Sequence, residues 1–403
     1  MNLIKKAILF YKQEGFRYTV YRTFKKCCEI VKRMPLVLIE RVKKERCLQQ
    51  LAQKAAGKRV FVLIPCIDWN ITLYQRPHQI AVELAKRENA FVLFISDQYR
   101  YDNFACYSQV QDYLYLFSHR LADSLDEVLQ DASEVVVIMS WMRQSHLLKQ
   151  FTYHKLIYEY IDDMSLFYYH TPQMEQEHYR LMAEADLTVC TAQVLYEKAL
   201  PHARKAILSP NAGDYEFFHS NRECPVNKLL EGRLNHAGCV IGYYGCLAKW
   251  FDYDLVLKVA RRKPDWFFVL LGYSFDGTAD TLKRANLPNV IHIPAQPYKL
   301  LPSFVSAFDI QCIPFLINDI TLSTSPVKLF EYMASNKPIL TSKMPECLNY
   351  RSVVTYSSVD DFVVQVEKLL LLKDNAAFLA VMDEEARQNT WGARVQSILE
   401  NYK

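Results

Sequence analysis

Glycine is scarce in this chain, at 10 of 403 residues. Neither GxGxxG nor GxxxxGK[ST] occurs, so dinucleotide and Walker-type phosphate cradles are not expected. No apolar run reaches the roughly 18 residues of a membrane span. No apolar segment with a small-residue cleavage site stands near the N-terminus, so secretion is not expected. The 11 cysteines form no CxxC pair and lack nearby histidines. With HExxH also missing, no metal site is expected, and the cysteine usage fits a reducing cytosol. The absence of GxSxG and of internal repeats sets aside a serine-hydrolase elbow and a solenoid.

Apolar residues are plentiful: 51% of the chain, with 13% aromatic. That supplies a large core, and the length suggests two domains. Charge is unevenly placed. Residues 1–46 carry 13 Lys/Arg against four Asp/Glu, a net of +9, which leaves −5 for the rest of a chain totalling +4. Residues 1–54 show helical periodicity and no strand pattern, so they are expected to form a basic helical extension. Such an arm, residues 1–46, suits an anionic membrane surface; the alternative is a solvated arm packed on the body or on a partner. Nucleic acid is not an expected partner, because the charge is confined to the arm and no recognition motif follows.

From Lys58 onward, short apolar runs alternate with helical stretches. Runs at Val60–Ile64, Ala90–Ser96, Val135–Met139 and Lys155–Tyr160 lead a first series, and Cys239–Tyr243, Trp266–Leu271 and Asp309–Ile313 belong to a second. This alternation indicates an α/β fold built on parallel sheets covered on both faces. Ligands of such sheets bind beyond the carboxyl ends of the strands. Expected domains are 55–213, 214–375 and a helical tail, 376–403. Two strand-end loops of the first series are chemically loaded. One holds Asp68 and Trp69, followed by Gln75, Arg76 and His78; the other holds Asp162, with His170 downstream. Helix capping would explain most of these residues equally well. In the second series Gly245 follows a strand, where a glycine lets backbone approach a ligand.

The segment from Ser325 to Ala334 carries the strongest local signal. Ser325 suits an N-cap and Pro326 the first helical position. A strand, a polar loop and a new helix make an anion site, because free N–H groups and the helix dipole point at it. Lys328 and Glu331 share one helix face. A lysine beside a phosphate and a glutamate beside a ribose would suit a nucleoside diphosphate; the same pair would also suit an ordinary amphipathic helix.

Taken together and in order, Asp68-Trp69, Gln75 to Gln79, Tyr160 to Asp163, Ala185 to Val189, Pro210 to Asp214, Gly242 to Asp252 and Ser325 to Pro338 resemble a GT-B glycosyltransferase. The resemblance is to family-4 enzymes of bacterial cell-surface polysaccharide synthesis, the teichuronic-acid and capsule transferases among them, and covers about residues 60–400. It implies two Rossmann-like domains facing across a cleft. It further implies a nucleotide-sugar held by Gly245, Lys249, Asn211, Ser325, Pro326, Lys328, Leu329 and Glu331. The acceptor side would comprise Trp69, Gln75, Arg76 and His78, with Asp68, Asp162 and His170 as candidate catalytic groups. Glu331 would take the ribose hydroxyls, and the helix around Trp391 would cross back to the first domain. Transfer would retain anomeric configuration, without a metal, a cofactor or a protein nucleophile, to a glycan or polyprenyl-linked acceptor. The expected location is the cytoplasmic face of the plasma membrane. One departure stands out: many family members carry a glutamate eight positions before the one matched by Glu331, and this chain has Ser323 there. A sugar-nucleotide epimerase and a catalytically idle partner subunit are the alternatives.

Overall fold

The computed structural model describes residues 38–402 apart from 72–73, 97–101, 103, 153, 167–169 and 236. Most of the basic arm therefore lies outside the described residues. Its last part is a helix over 38–55. Leu48, Leu51 and Ala55 bury that helix against the first sheet, and Glu40 pairs with Arg120 at 2.7 Å. Among the described residues no helix is long and apolar enough to cross a membrane.

Two sheets carry the chain. The first contains β1 (Arg59–Ile64), β2 (Ala90–Ser96), β3 (Tyr107–Gln111), β4 (Leu114–Ser118), β5 (Glu134–Met139), β6 (Lys155–Tyr160), β7 (Leu187–Cys190) and β8 (Ala206–Leu208). Their spatial order is β3-β4-β2-β1-β5-β6-β7-β8. The second contains β9 (Cys239–Tyr244), β10 (Trp266–Leu271), β11 (Val290–Ile293), β12 (Ile310–Ile313), β13 (Ile339–Ser342) and β14 (Val353–Tyr356), in the order β11-β10-β9-β12-β13-β14. Every pairing is parallel except β3 with β4. The all-parallel expectation thus fails at one edge. Tyr107–Gln111 is polar and partly exposed, and Tyr113 takes φ 61° in the tight turn that follows, so the strand lacks the apolar run that marks the others.

In each sheet the strand order reverses beside the first strand, β1 or β9. These reversal points open crevices at the carboxyl edge. The crevices face each other because the chain is tied at the junction. Arg76 donates to the carbonyls of Ser209 and Pro210, both at 3.2 Å, and Arg394 to those of Pro210 (3.0 Å) and Asn211 (3.2 Å). Arg394 belongs to the last helix, Trp391–Asn401, whose Trp391, Val395 and Ile398 lie in the first domain's core.

Candidate active site

A cleft of about 760 Å³ lies between the two carboxyl edges. Its second-domain wall begins at the turn after β9. Gly245 has φ +140°, and a Cβ there would sit 2.5 Å from Cε of Lys328. Gly272, at the end of β10, has φ +157°, and its Cβ would fall 1.7 Å from the Gly245 carbonyl oxygen. The two turns are therefore in backbone-to-backbone contact, which explains two of the few glycines. Gly272→Ala is expected to destabilise the protein by at least about 2 kcal/mol, through overpacking in a conformation that side chains avoid. The midpoint of urea unfolding measures this, and an unshifted midpoint would contradict it.

Lys328 lies over the Gly245 turn, one position into the helix Val327–Ser335. Its ammonium sits above the rings of Phe315 (5.1 Å) and Tyr243 (5.4 Å) and has no hydrogen-bond or ion-pair partner among the described residues. Burial pushes it down to about 8, while Glu331 pulls the other way. The backbone amides of Val327 and Lys328 likewise lack acceptors among the described residues. This helix starts one residue later than expected. Pro326 is the N-cap, because Ser325 is diverted: its Oγ accepts the Asn211 amide at 3.0 Å, and its carbonyl accepts Asn211 Nδ2 at 2.6 Å.

Glu331 is buried on the same wall. Its Oε2 accepts the Tyr244 hydroxyl at 2.7 Å and its Oε1 the Tyr298 hydroxyl at 2.8 Å. Burial pushes its carboxyl up against those two bonds and against Lys328.

The first-domain wall contains Tyr74, Gln75, Arg76, Ser140, Trp141 and the β6 end from Tyr158 to Asp162. Arg76 and Glu159 form a buried pair at 2.8 Å, and Ser140 donates to the other Glu159 oxygen at 2.9 Å. Asp162 has no hydrogen-bond partner among the described residues. The cleft walls, and then Asp163, push its carboxyl up, although solvent reaches it. Asp163 is occupied by Ser165 and Lys198.

Of the residues expected at the site, Gln75, Arg76, Asp162, Asn211, Gly245, Ser325, Pro326, Lys328 and Glu331 line the cleft. The others do not. Leu329 is packed in the core and Asp68 is fully buried. His78 is stacked between Tyr74 and Phe94; it accepts the Gln75 amide (3.1 Å) and donates to the Trp69 carbonyl (3.0 Å), which fixes its tautomer. Trp69 packs edge-on against that ring. Lys249 is exposed and its amide bonds Asp276 at 2.8 Å, so Lys328 is the lysine at the Gly245 turn. His170 stands away from the lining, before the helix Pro172–Glu184. Ser323 turns its hydroxyl back to the carbonyls of Asp319 and Ile320. Tyr74, Tyr244 and Tyr298 line the cleft without having been expected there. Only Tyr244 carried a signal, as the neighbour of Gly245.

No family model matches the chain. The chain superposes on the sucrose-phosphate synthase of Thermosynechococcus elongatus with a TM-score of 0.63, covering 86% of this chain and 98% of the other at 11% identity. For HepE of Anabaena, in complex with UDP and glucose, the TM-score is 0.59, with coverages of 85% and 99% at 13% identity. For OtsA the TM-score is 0.66, with 86% and 99% covered at 11% identity. This chain has the GT-B fold. The GT-B resemblance read from the sequence is also supported by a curated relative. A Bacillus subtilis (strain 168) protein with the provisional name teichuronic acid biosynthesis glycosyltransferase TuaH is 27% identical over 231 residues. That match spans 55% of this GT-B chain and 57% of the relative's length.

Proposed function

We propose that this GT-B protein is a glycosyltransferase that moves a sugar from a nucleotide-sugar to a glycan or lipid-linked glycan in cell-surface polysaccharide synthesis. The carrying observation is Lys328. A cation with no hydrogen-bond or ion-pair partner among the described residues lies beside helix amides that lack acceptors among them too, at the reversal point of the second sheet and one turn from Glu331. Departure of a diphosphate builds negative charge, and cations and amides already aimed there stabilise it. The bond between the anomeric carbon and the phosphate oxygen breaks, and its electron pair leaves with the diphosphate. The acceptor oxygen bonds the carbon from the same face, giving retention, and its proton leaves with the departing phosphate. Asp162 faces the cleft, where it accepts a hydrogen bond from a neighbouring, non-attacking hydroxyl of the acceptor. Glu331 takes the ribose hydroxyls. Lysine and amides supply the charge a metal would otherwise bring, so we propose metal-independent transfer in the cytoplasm.

A thermal-shift screen against UDP-, GDP- and dTDP-sugars tests the donor reading. A ligand at 100 times its dissociation constant adds about 2.7 kcal/mol. No shift with any of them would sink the assignment. The basic arm is proposed to hold the enzyme at an anionic membrane surface, which vesicle sedimentation with and without residues 1–37 tests. Truncation at 46 would instead cut the docked helix over 38–55.

A further inference from the structure

The Glu331 wall is not built by the second domain alone. Tyr298, in the loop after β11, donates to Glu331 at 2.8 Å, and its ring packs on Tyr74 of the first domain with centroids 5.2 Å apart. Gln79, also of the first domain, reaches the same hydroxyl at 3.5 Å. Phe217 stacks on the ring from the junction side at 5.3 Å. One phenol therefore touches the carboxylate at its oxygen and the opposite domain at its ring. Tyr74 makes no hydrogen bond of its own to Glu331.

We infer that Tyr298 is a positioning residue that joins the grip on the donor to the first domain, so that Tyr74 strengthens donor binding through Tyr298. The phenol holds Glu331 in one rotamer, leaving the second lone pair of each oxygen for the ligand. When Tyr74 packs on the ring, that hydroxyl is fixed; when the domains part, the ring loses one wall and Glu331 loses a fixed donor. Donor affinity is then higher in the closed arrangement, and by reciprocity a bound donor favours closure.

The inference rests on the donor reading above, and its test separates the two. Dissociation constants for UDP and GDP are measured by calorimetry on the full chain, for wild type, Tyr74→Ala, Tyr298→Ala, the double variant, and Tyr74→Phe, which keeps the ring. Tyr298→Ala is expected to weaken binding about tenfold, as for a lost hydrogen bond to a charged group. Tyr74→Ala is expected to weaken it several-fold in the wild-type background and not at all in the Tyr298→Ala background. Tyr74→Phe should lose less affinity than Tyr74→Ala. Additive losses in the double variant, or wild-type affinity in Tyr74→Ala, would overturn the coupling while leaving the donor reading intact. A wild-type chain that binds none of UDP, GDP and dTDP, the last measured in the same way, would remove both.

Discussion

Lys328→Met is expected to cut turnover by about 10²–10³-fold, the usual cost of removing one preorganised charge partner from a leaving group. Fold should survive. The substitution replaces a half-buried ammonium, held among the described residues by two aromatic faces, with an apolar chain of similar length. Urea unfolding should therefore show equal or greater stability in the variant. Loss of turnover without loss of stability separates a chemical role from a structural one; turnover within threefold of wild type would end the leaving-group assignment. The pH dependence gives a second check. The ammonium is pushed down to about 8 from an ordinary 10.5, so between those values the unfolded chain holds a proton that the folded chain lacks. Stability contributed by this group then rises with pH across that window. Affinity for a diphosphate runs the opposite way, falling as pH climbs through about 8 because the cation is lost. In Lys328→Met both slopes should flatten.

The fold was legible because its strands are apolar runs of ordinary length, and the parallel order follows from helices between them. The strand at Tyr107–Gln111 was not, because an exposed edge needs no apolar run. The lining of the cleft was legible where chemistry and local order coincide, as at Gly245, Lys328 and Glu331. It was obscured where a distant partner redirects a side chain. Ser325 looks like an N-cap until Asn211, 114 residues earlier, takes its hydroxyl. Lys249 stands four residues after Gly245 in the chain, whereas the helix from Val327 lays Lys328 across that turn. Tyr298 belongs to no motif, and its role emerges only from the approach of two domains.

Glu331→Gln and Glu331→Ala should part company. In the alanine variant one buried phenol and one half-buried phenol lose their acceptor and a cavity opens, a combined cost of about 2–4 kcal/mol. The glutamine keeps the volume, and its amide oxygen still accepts one phenol. Stability should then fall far less, while donor affinity falls about 10–100-fold, as for a lost charge-assisted hydrogen bond to ribose. With the donor's phosphates assigned to Lys328 and the helix amides under the proposed function, inorganic pyrophosphate should bind Glu331→Gln as it binds wild type. Calorimetry with pyrophosphate and with the nucleotide-sugar divides the site into its two halves. Equal losses for both ligands would mean that Glu331 supports the whole pocket through Tyr244 and Tyr298. A loss confined to the nucleotide-sugar places the ribose at this carboxylate and the diphosphate one turn earlier on the same helix.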